Sequence, residues 1–497
     1  MKYHSQGKQL TLDAFRSSLS SLPKSNRWVL MGDTLPWGEI EKSYNAKLNN
    51  SFTGAGNKPA RMVVGALIIK HKMNLSDEET ILAIQENPYM QYMLGLSEFT
   101  DKPVFHPSLF VTIRTRLQIE DLNDFTSSLL ASASQSKDMG HPSDDCKDDS
   151  SDDAHTDSQG RLHKGSMKVD ATCSDAEVRF PTDVDLLEDG SRVINRYIDK
   201  LCNSFSLIHP VTFRKKSRMA YLEFIKMKKS KKRLKSCKSL LLAYLNRDIR
   251  TFVNLIAVHG THLLDVLKRH EKKTMRSIIT MFRQQEAMFK EGTHCITGRI
   301  VSVFQPHIRP IVRGKAKSPT EFGAKIGASV VQGYTFIDNH SWDAYNEASD
   351  LELQIEPYRK RFGYFPSRIY ADKIYMNREN RKLMKELEIE AMGRPLGRPP
   401  KGSNLEYEKR MAKAAGERNE VEAAFGTGKR IYRANNVRAK LSETANCWTG
   451  MCYFVKNVMK FIKGLLHALF EIWISMKNPV AILGYSVNRT GLQYCCS

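Results

Sequence analysis

Three carboxylates, each in a distinctive setting, constrain this chain more than anything else in it. One lies in Arg418-Asn-Glu-Val-Glu422-Ala-Ala-Phe-Gly-Thr-Gly-Lys429. The others close two short apolar segments, Met167-Lys-Val-Asp170-Ala-Thr and Arg368-Ile-Tyr-Ala-Asp372-Lys. Positions four and seven apart share a face of an α-helix, so Arg418, Glu422 and Lys429 are expected to point the same way. Two strand-end aspartates and a helical glutamate can hold a pair of divalent ions for phosphodiester chemistry, with the flanking cations available to phosphates. Glu420 competes with Glu422 as the helical acid, and only the spacing to Arg418 and Lys429 favours Glu422. Gly426 and Gly428 each cost about 1 kcal/mol in a helix, which keeps a helix end before Lys429 among the options. Gly426-Thr-Gly428-Lys429 lacks the upstream glycine and the following Ser/Thr of a phosphate-binding loop, so no ATP site is read.

Charge narrows the partner. The chain has 497 residues, with 76 Lys+Arg against 54 Asp+Glu and a formal charge of +22. That balance favours a polyanion, nucleic acid or an anionic membrane surface. Met1 to Asn26 is polar and carries no signal-peptide pattern. The apolar stretch Met451 to Met476 is interrupted by Lys456, Lys460, Lys463, His467 and Glu471 and reads as a buried amphipathic helix, not a membrane span. Nine cysteines without CxxC pairs fit a reducing, cytoplasmic compartment.

Composition divides the chain into four parts. Residues 1–130 read as helices: an apolar run from Pro59 to Lys72, a Ser76/Glu79 capping box, a helix ending near Asn87-Pro88, and a segment from Ser108 to Leu117 carrying Arg114 and Arg116. Three short helices with a basic last member suit a DNA-binding unit. Residues 131–163 are acidic, with little to bury, and read as a disordered linker. Residues 164–478 read as α/β, with a helical, basic insertion at about 188–290; its 214–238 stretch has twelve Lys/Arg against Glu223. That density points to contact with DNA backbone. Residues 479–497 form a tail. Strands are expected at Ile300–Phe304, Ser329–Ile337 and Arg368–Ala371, and helices at Asp343–Lys360, Asn377–Leu387 and from a Ser403/Glu406 capping box through Glu422. Arg313 and Lys315 form a basic turn, and Arg398, in Gly393-Arg-Pro-Leu-Gly397-Arg398-Pro-Pro-Lys401, resembles a minor-groove hook.

Several of these segments occur together, in this order, in one family. The chain resembles the DDE transposases of bacterial insertion sequences, most closely the insertion-sequence-five superfamily. Pro36-Trp37, Asp77-Glu78-Glu79, Glu86-Asn87-Pro88-Tyr89 and Leu94-Gly95-Leu96 resemble its InsH-like helical N-terminal domain. Val169-Asp170-Ala171-Thr172 with Pro181-Thr182-Asp183 resembles its first catalytic segment, and Ala371-Asp372-Lys373-Ile-Tyr375 with Asn380 its second. Arg313-Gly-Lys315 with Glu321-Phe-Gly323-Ala-Lys325 resembles a segment between strands. Arg418, Glu422 and Lys429 fit its Tyr-Arg-Glu-Lys pattern, with Ala415 at the tyrosine position.

The resemblance implies a ribonuclease-H-like core with a helical insertion after its first strand, preceded by an all-α N-terminal domain. It implies that Asp170, Asp372 and Glu422 are catalytic and ligate two Mg²⁺ ions, with Mn²⁺ as a substitute. Arg418 and Lys429 would hold phosphates. The implied partners are double-stranded DNA, both terminal inverted repeats and target, and a second copy of the chain during reaction. The implied activity is nicking at element ends followed by strand transfer, in a bacterial cytoplasm at the nucleoid. Two other readings stand beside it: a DNA-binding relic without catalysis, and a metal-dependent nuclease without strand transfer.

Overall fold

The computed structural model describes residues 19, 21–48, 57–138, 154–228, 230–312, 320–394, 396 and 405–477. The first part is helical: α1 (Arg27–Thr34), α2 (Trp37–Asn45), α3 (Ala60–Met73), α4 (Asp77–Glu86), α5 (Pro88–Met93), α6 (Leu109–Arg116) and α7 (Ile119–Asp138). The capping box forms as the sequence dictates: Glu79 N–H donates to Ser76 Oγ at 3.1 Å, and Ser76 N–H to Glu79 Oε2 at 2.8 Å. Asn87 then caps α5, which begins on Pro88.

A two-stranded hairpin follows, β1 (His155–Thr156) with β2 (Leu162–His163). The stretch expected to be a disordered linker is therefore ordered at both ends among the described residues. Helix α7 runs to Asp138, and the hairpin folds because Asp157 accepts from Gln159 N and Arg161 N at 2.9 and 2.7 Å and contacts buried His163 at 3.1 Å. The acidic run between them lies outside the described residues.

The main sheet begins with β3 (Ser166–Asp175), which alternates buried Met167, Val169, Ala171 and Cys173 with more polar positions. The insertion comes next: α8 (Asp183–Ser204), α9 (Arg214–Lys226), α10 (Lys231–His259), a 3-10 turn at Thr261–Val266, and α11 (Arg269–Glu291). These helices enclose a core of their own, including Val193, Ile194, Leu241, Leu245, Ile278 and Met281. Ile300 and Val303 belong to that core as irregular backbone, so the strand expected at Ile300–Phe304 does not form. The chain returns as β4 (Arg309–Val312), β5 (Thr320–Val331) and β6 (Tyr334–Ser341). Ser329 to Ile337 is thus a hairpin and not one strand, turning at Gln332 and Gly333, both at positive φ.

A 3-10 turn (Glu347–Asp350) leads into α12 (Leu351–Phe362), then β7 (Arg368–Tyr370), α13 (Arg378–Glu386), β8 (Glu390–Met392), α14 (Leu405–Arg430) and α15 (Ser442–Lys477). Strand order is β4-β5-β3-β7-β8, with β6 also on β5. β3 runs antiparallel to β5 and parallel to β7, and β7 parallel to β8. This is a ribonuclease-H-like mixed sheet flanked by helices, with an all-helical N-terminal region. The N-terminal helices and the sheet share one apolar core. Helix α15 joins them through Cys447, Met451, Phe454, Val455 and Val458. No described helix is long and apolar enough to cross a membrane.

Candidate active site

Parallel pairing of β3 with β7 brings the two aspartates together. The last parallel pair is Lys168 with Tyr370, and each aspartate lies two residues beyond it. Asp372 is just past the end of β7. Asp170 is not at a strand end as expected but within β3, which continues to Asp175 and pairs Asp170 with Ala328 of β5. The Asp372 charge acts on Asp170. Each carboxylate accepts from the following backbone N–H, Ala171 and Lys373, at 2.8 Å. Asp170 is largely buried, and burial pushes its pKa up to about 6. The Ala171 amide and Arg418 oppose the rise, while Glu347 and Asp372 add to it.

Helix α14 packs on β3, β5 and β7 and carries the third acid. Arg418 Nη2 lies 2.7 Å from Glu422 Oε1, one turn along, and Arg418 Nη1 lies 3.5 Å from Asp170 Oδ2. One guanidinium therefore spans the strand acid and the helix acid. Glu420 is engaged elsewhere: with Glu417 it grips Lys168 of β3. The helix continues through both glycines to Arg430, so Lys429 stays helical. Gly428 permits this packing, because a Cβ there would stand 2.7 Å from Tyr453 Cε1 of α15. Lys429 lies within charge range of Cys173.

The remaining cations have other places. Arg114 is buried, with Nη1 and Nη2 at 2.8 and 2.7 Å from the two oxygens of Asp77 and its guanidinium near the Phe110 and Trp448 rings. Its expected role on DNA is corrected: it ties α6 to α4 beneath α15. Arg116 is half-buried in the last turn of α6. Arg313, Lys315 and Arg398 lie outside the described residues. Asp183 is not at the acid centre; it holds the insertion together through Lys238 at 2.9 Å and Arg299 at 2.8 Å.

One group among the described residues could grip a single ion as it stands. Cys173, Asp175 and Glu321 offer ligand atoms all within 4.8 Å of one another. A thiol with two carboxylates suits a borderline ion such as zinc better than magnesium, which prefers oxygen alone. The oxygens of Asp170, Asp372 and Glu422 do not converge to that distance. Their all-oxygen chemistry nevertheless fits a hard cation, and an orphaned polar atom lies within charge range of Asp170. Tyr375 is fully buried, its hydroxyl has no hydrogen-bond partner, and the charges acting on it most are Glu347 and Asp170.

Comparison with known proteins bears on the same segments. Residues 369–458, which include Asp372, Glu422 and Lys429, match a model described as "Transposase DDE domain". Residues 16–116 match one described as "Transposase domain (DUF772)". The chain carries a DDE transposase domain. It is also 26% identical over 127 residues to "Uncharacterized protein ORF8 in nfe locus" of Rhizobium meliloti, an alignment covering 25% of this chain and 59% of that protein. The chain thus spans little more than half of that relative. No solved structure matches.

The structure also gives Lys325, of the segment between strands, a partner that the sequence did not single out, Glu347 at 3.0 Å. An acid in a 3-10 turn opening a helix resembles any helix start, so no sequence signal marked it.

Proposed function

We propose that the chain is a DNA transposase. It binds the terminal inverted repeats of an insertion element, nicks DNA by metal-dependent hydrolysis and joins the freed 3′-hydroxyl ends to target DNA. The observation that carries this reading is the arrangement of Arg418 between Asp170 and Glu422, with Asp372 just beyond the end of the adjacent parallel strand. The match to the DDE domain model over Asp372 and Glu422 supports it. The finer placement in the insertion-sequence-five superfamily rests on the motifs before β3, within it and after β7.

Asp170, Asp372 and Glu422 would hold two Mg²⁺ ions, or Mn²⁺ in their place. Bound there, the ions would supply activation of water or a 3′-hydroxyl and stabilisation of the leaving oxygen. The protein's own part is positioning and charge. Asp170 is fixed by its pairing with Ala328, and both aspartates by backbone N–H groups. Arg418 has two carboxylates to choose between and can turn to a phosphate when cations occupy them. Lys429, nearly two turns beyond Glu422 on α14, adds a second positive charge for the strand. The exposed Lys215, Lys216, Lys231, Lys232 and Lys235 of α9 and α10 offer phosphate contacts away from the acids. Two element ends must meet, so a homodimer is the working form, and a cytoplasmic, nucleoid-associated setting follows from the substrate.

The test is cleavage of end-bearing duplex DNA in Mg²⁺ by wild type and Asp372→Ala. Cleavage by wild type alone, with end binding retained in the variant, supports the assignment. Cutting by Asp372→Ala overturns it. Cleaved ends that never join a target reduce the activity to a nuclease.

A further inference from the structure

Helix α14 is tied to β3 along both of its flanks. A helix turns by about 100° per residue, which sets Arg418 and Glu422 on one side of the buried stripe of Val421, Ala424, Phe425 and Gly428. Glu417 and Glu420 fall on the other side of that stripe. Beneath the helix, Lys168 and Asp170 stand two residues apart in β3 and share a face of the sheet. Each flank meets one of them. Arg418 Nη1 lies 3.5 Å from Asp170 Oδ2. Lys168 Nζ lies 2.9 Å from Glu417 Oε2 and in direct contact with Glu420 Oε2.

The Lys168 tie is the firmer of the two. Its backbone is pinned inside the sheet, paired with Val330 of β5 and with Tyr370 of β7. Its side chain is only 14% exposed, so its charge is largely out of water, and two helix acids answer it. Glu420 is confined in turn: a Cβ on Gly333, in the turn between β5 and β6, would stand 3.1 Å from Glu420 Oε1. Apolar burial is non-directional, so the central stripe holds α14 against the sheet without fixing its rotation. The ion pairs on the two flanks do fix it. Without the grip on Glu417 and Glu420 the helix can roll about its own axis, and Glu422 moves with it relative to Asp170.

We propose that Lys168 is a positioning residue: by gripping Glu417 and Glu420 it fixes the roll of α14 and so holds Glu422 at the strand acids. This rests on the transposase reading of the site. Charge and position predict opposite signs for its removal. Taking a cation away from carboxylates strengthens their hold on a divalent ion if charge is all that Lys168 supplies. Loosening the helix that carries one of the ligands weakens it.

The experiment titrates the full-length protein with Mn²⁺ alone, reading free Mn²⁺ by electron paramagnetic resonance, with thermal melting of every variant. Lys168→Met is expected to weaken Mn²⁺ binding about tenfold. Lys168→Arg keeps a cation between the two acids and is expected to bind close to wild type. Glu422→Ala should cost affinity in the wild type and much less in Lys168→Met, where that acid is already displaced. Unchanged or raised affinity in Lys168→Met overturns the proposal, even if melting falls, because the tie is then structural only. An equal loss in Lys168→Arg overturns it, and so does an equal cost of Glu422→Ala in both backgrounds. In each of these cases weakened binding in Glu422→Ala alone leaves the transposase reading intact. Unchanged affinity in both Glu422→Ala and Asp170→Asn overturns that reading and the proposal together. If Lys168→Met does not fold, Lys168→Gln replaces it: weakened binding supports the proposal, and wild-type or higher affinity overturns it.

Discussion

Arg114 and Arg418 are both helical arginines near carboxylates, yet they sit in opposite situations. Arg114 spends both Nη atoms on the single carboxylate of Asp77, with its side chain 6% exposed. Arg418 divides its nitrogens between two acids, one of them 3.5 Å away, and is 24% exposed, while its partner Glu422 is half-exposed. The first is a buried contact whose one unpartnered donor, Nε, is sealed from solvent. The second is open, and both its partners are residues a cation would engage. Proximity to acid does not distinguish structural from functional arginines; the burial of the pairing and the number of acids it spans do.

The contrast can be broken at either end. Arg114→Ala leaves Asp77 with Lys70 alone, at 3.0 Å, in a mostly buried setting. Truncating one partner of a buried pair costs about 3–5 kcal/mol, so denaturant unfolding should show a loss of that size. A loss below about 1 kcal/mol would remove Arg114 from the structural side.

Asp170 comes next. Its folded pKa, about 6, stands above its ordinary value of 3.8, so its ionisation opposes folding as pH rises through that window. Metal-free Asp170→Asn should be more stable than wild type at pH 7 by on the order of 2 kcal/mol. The gain should vanish below pH 3.8, where both side chains are neutral. Thermal melts across pH 3.5–7.5 check the sign.

The two glycines of α14 sharpen the helix side. Gly428→Ala should lose about 1 kcal/mol, because overpacking against Tyr453 outweighs the helix propensity gained. Gly426→Ala meets only the movable Arg430 guanidinium and should gain up to about 1 kcal/mol. Chemical denaturation of both variants separates a packing glycine from an incidental one.

The smallest effect on stability belongs to Arg418→Ala. A partly exposed pair is worth about 0–1 kcal/mol, so melting should barely move while affinity for end DNA falls. A large stability loss would make Arg418 resemble Arg114.

Local chemistry was legible in the sequence. The Ser76/Glu79 box and the helix start at Asn377 depend on neighbours a few residues away, and both form. The α/β order followed from alternating periodicities, and the ribonuclease-H-like core from the family's motifs. What depended on distant partners was hidden. Arg114 and Asp77 are 37 residues apart, and nothing in either segment announces the pair. Ile300 to Phe304 has strand composition, but its apolar side chains are used by the insertion core. The turn at Gln332-Gly333 split one expected strand because a run of β-branched residues masked a two-residue hairpin signal.

The most direct measurement is Mg²⁺-dependent cleavage of DNA carrying the element ends, by wild type and Glu422→Ala. The account predicts 3′-hydroxyl ends from the wild type, none from the variant, and end binding by both. Cleavage by Glu422→Ala would contradict it.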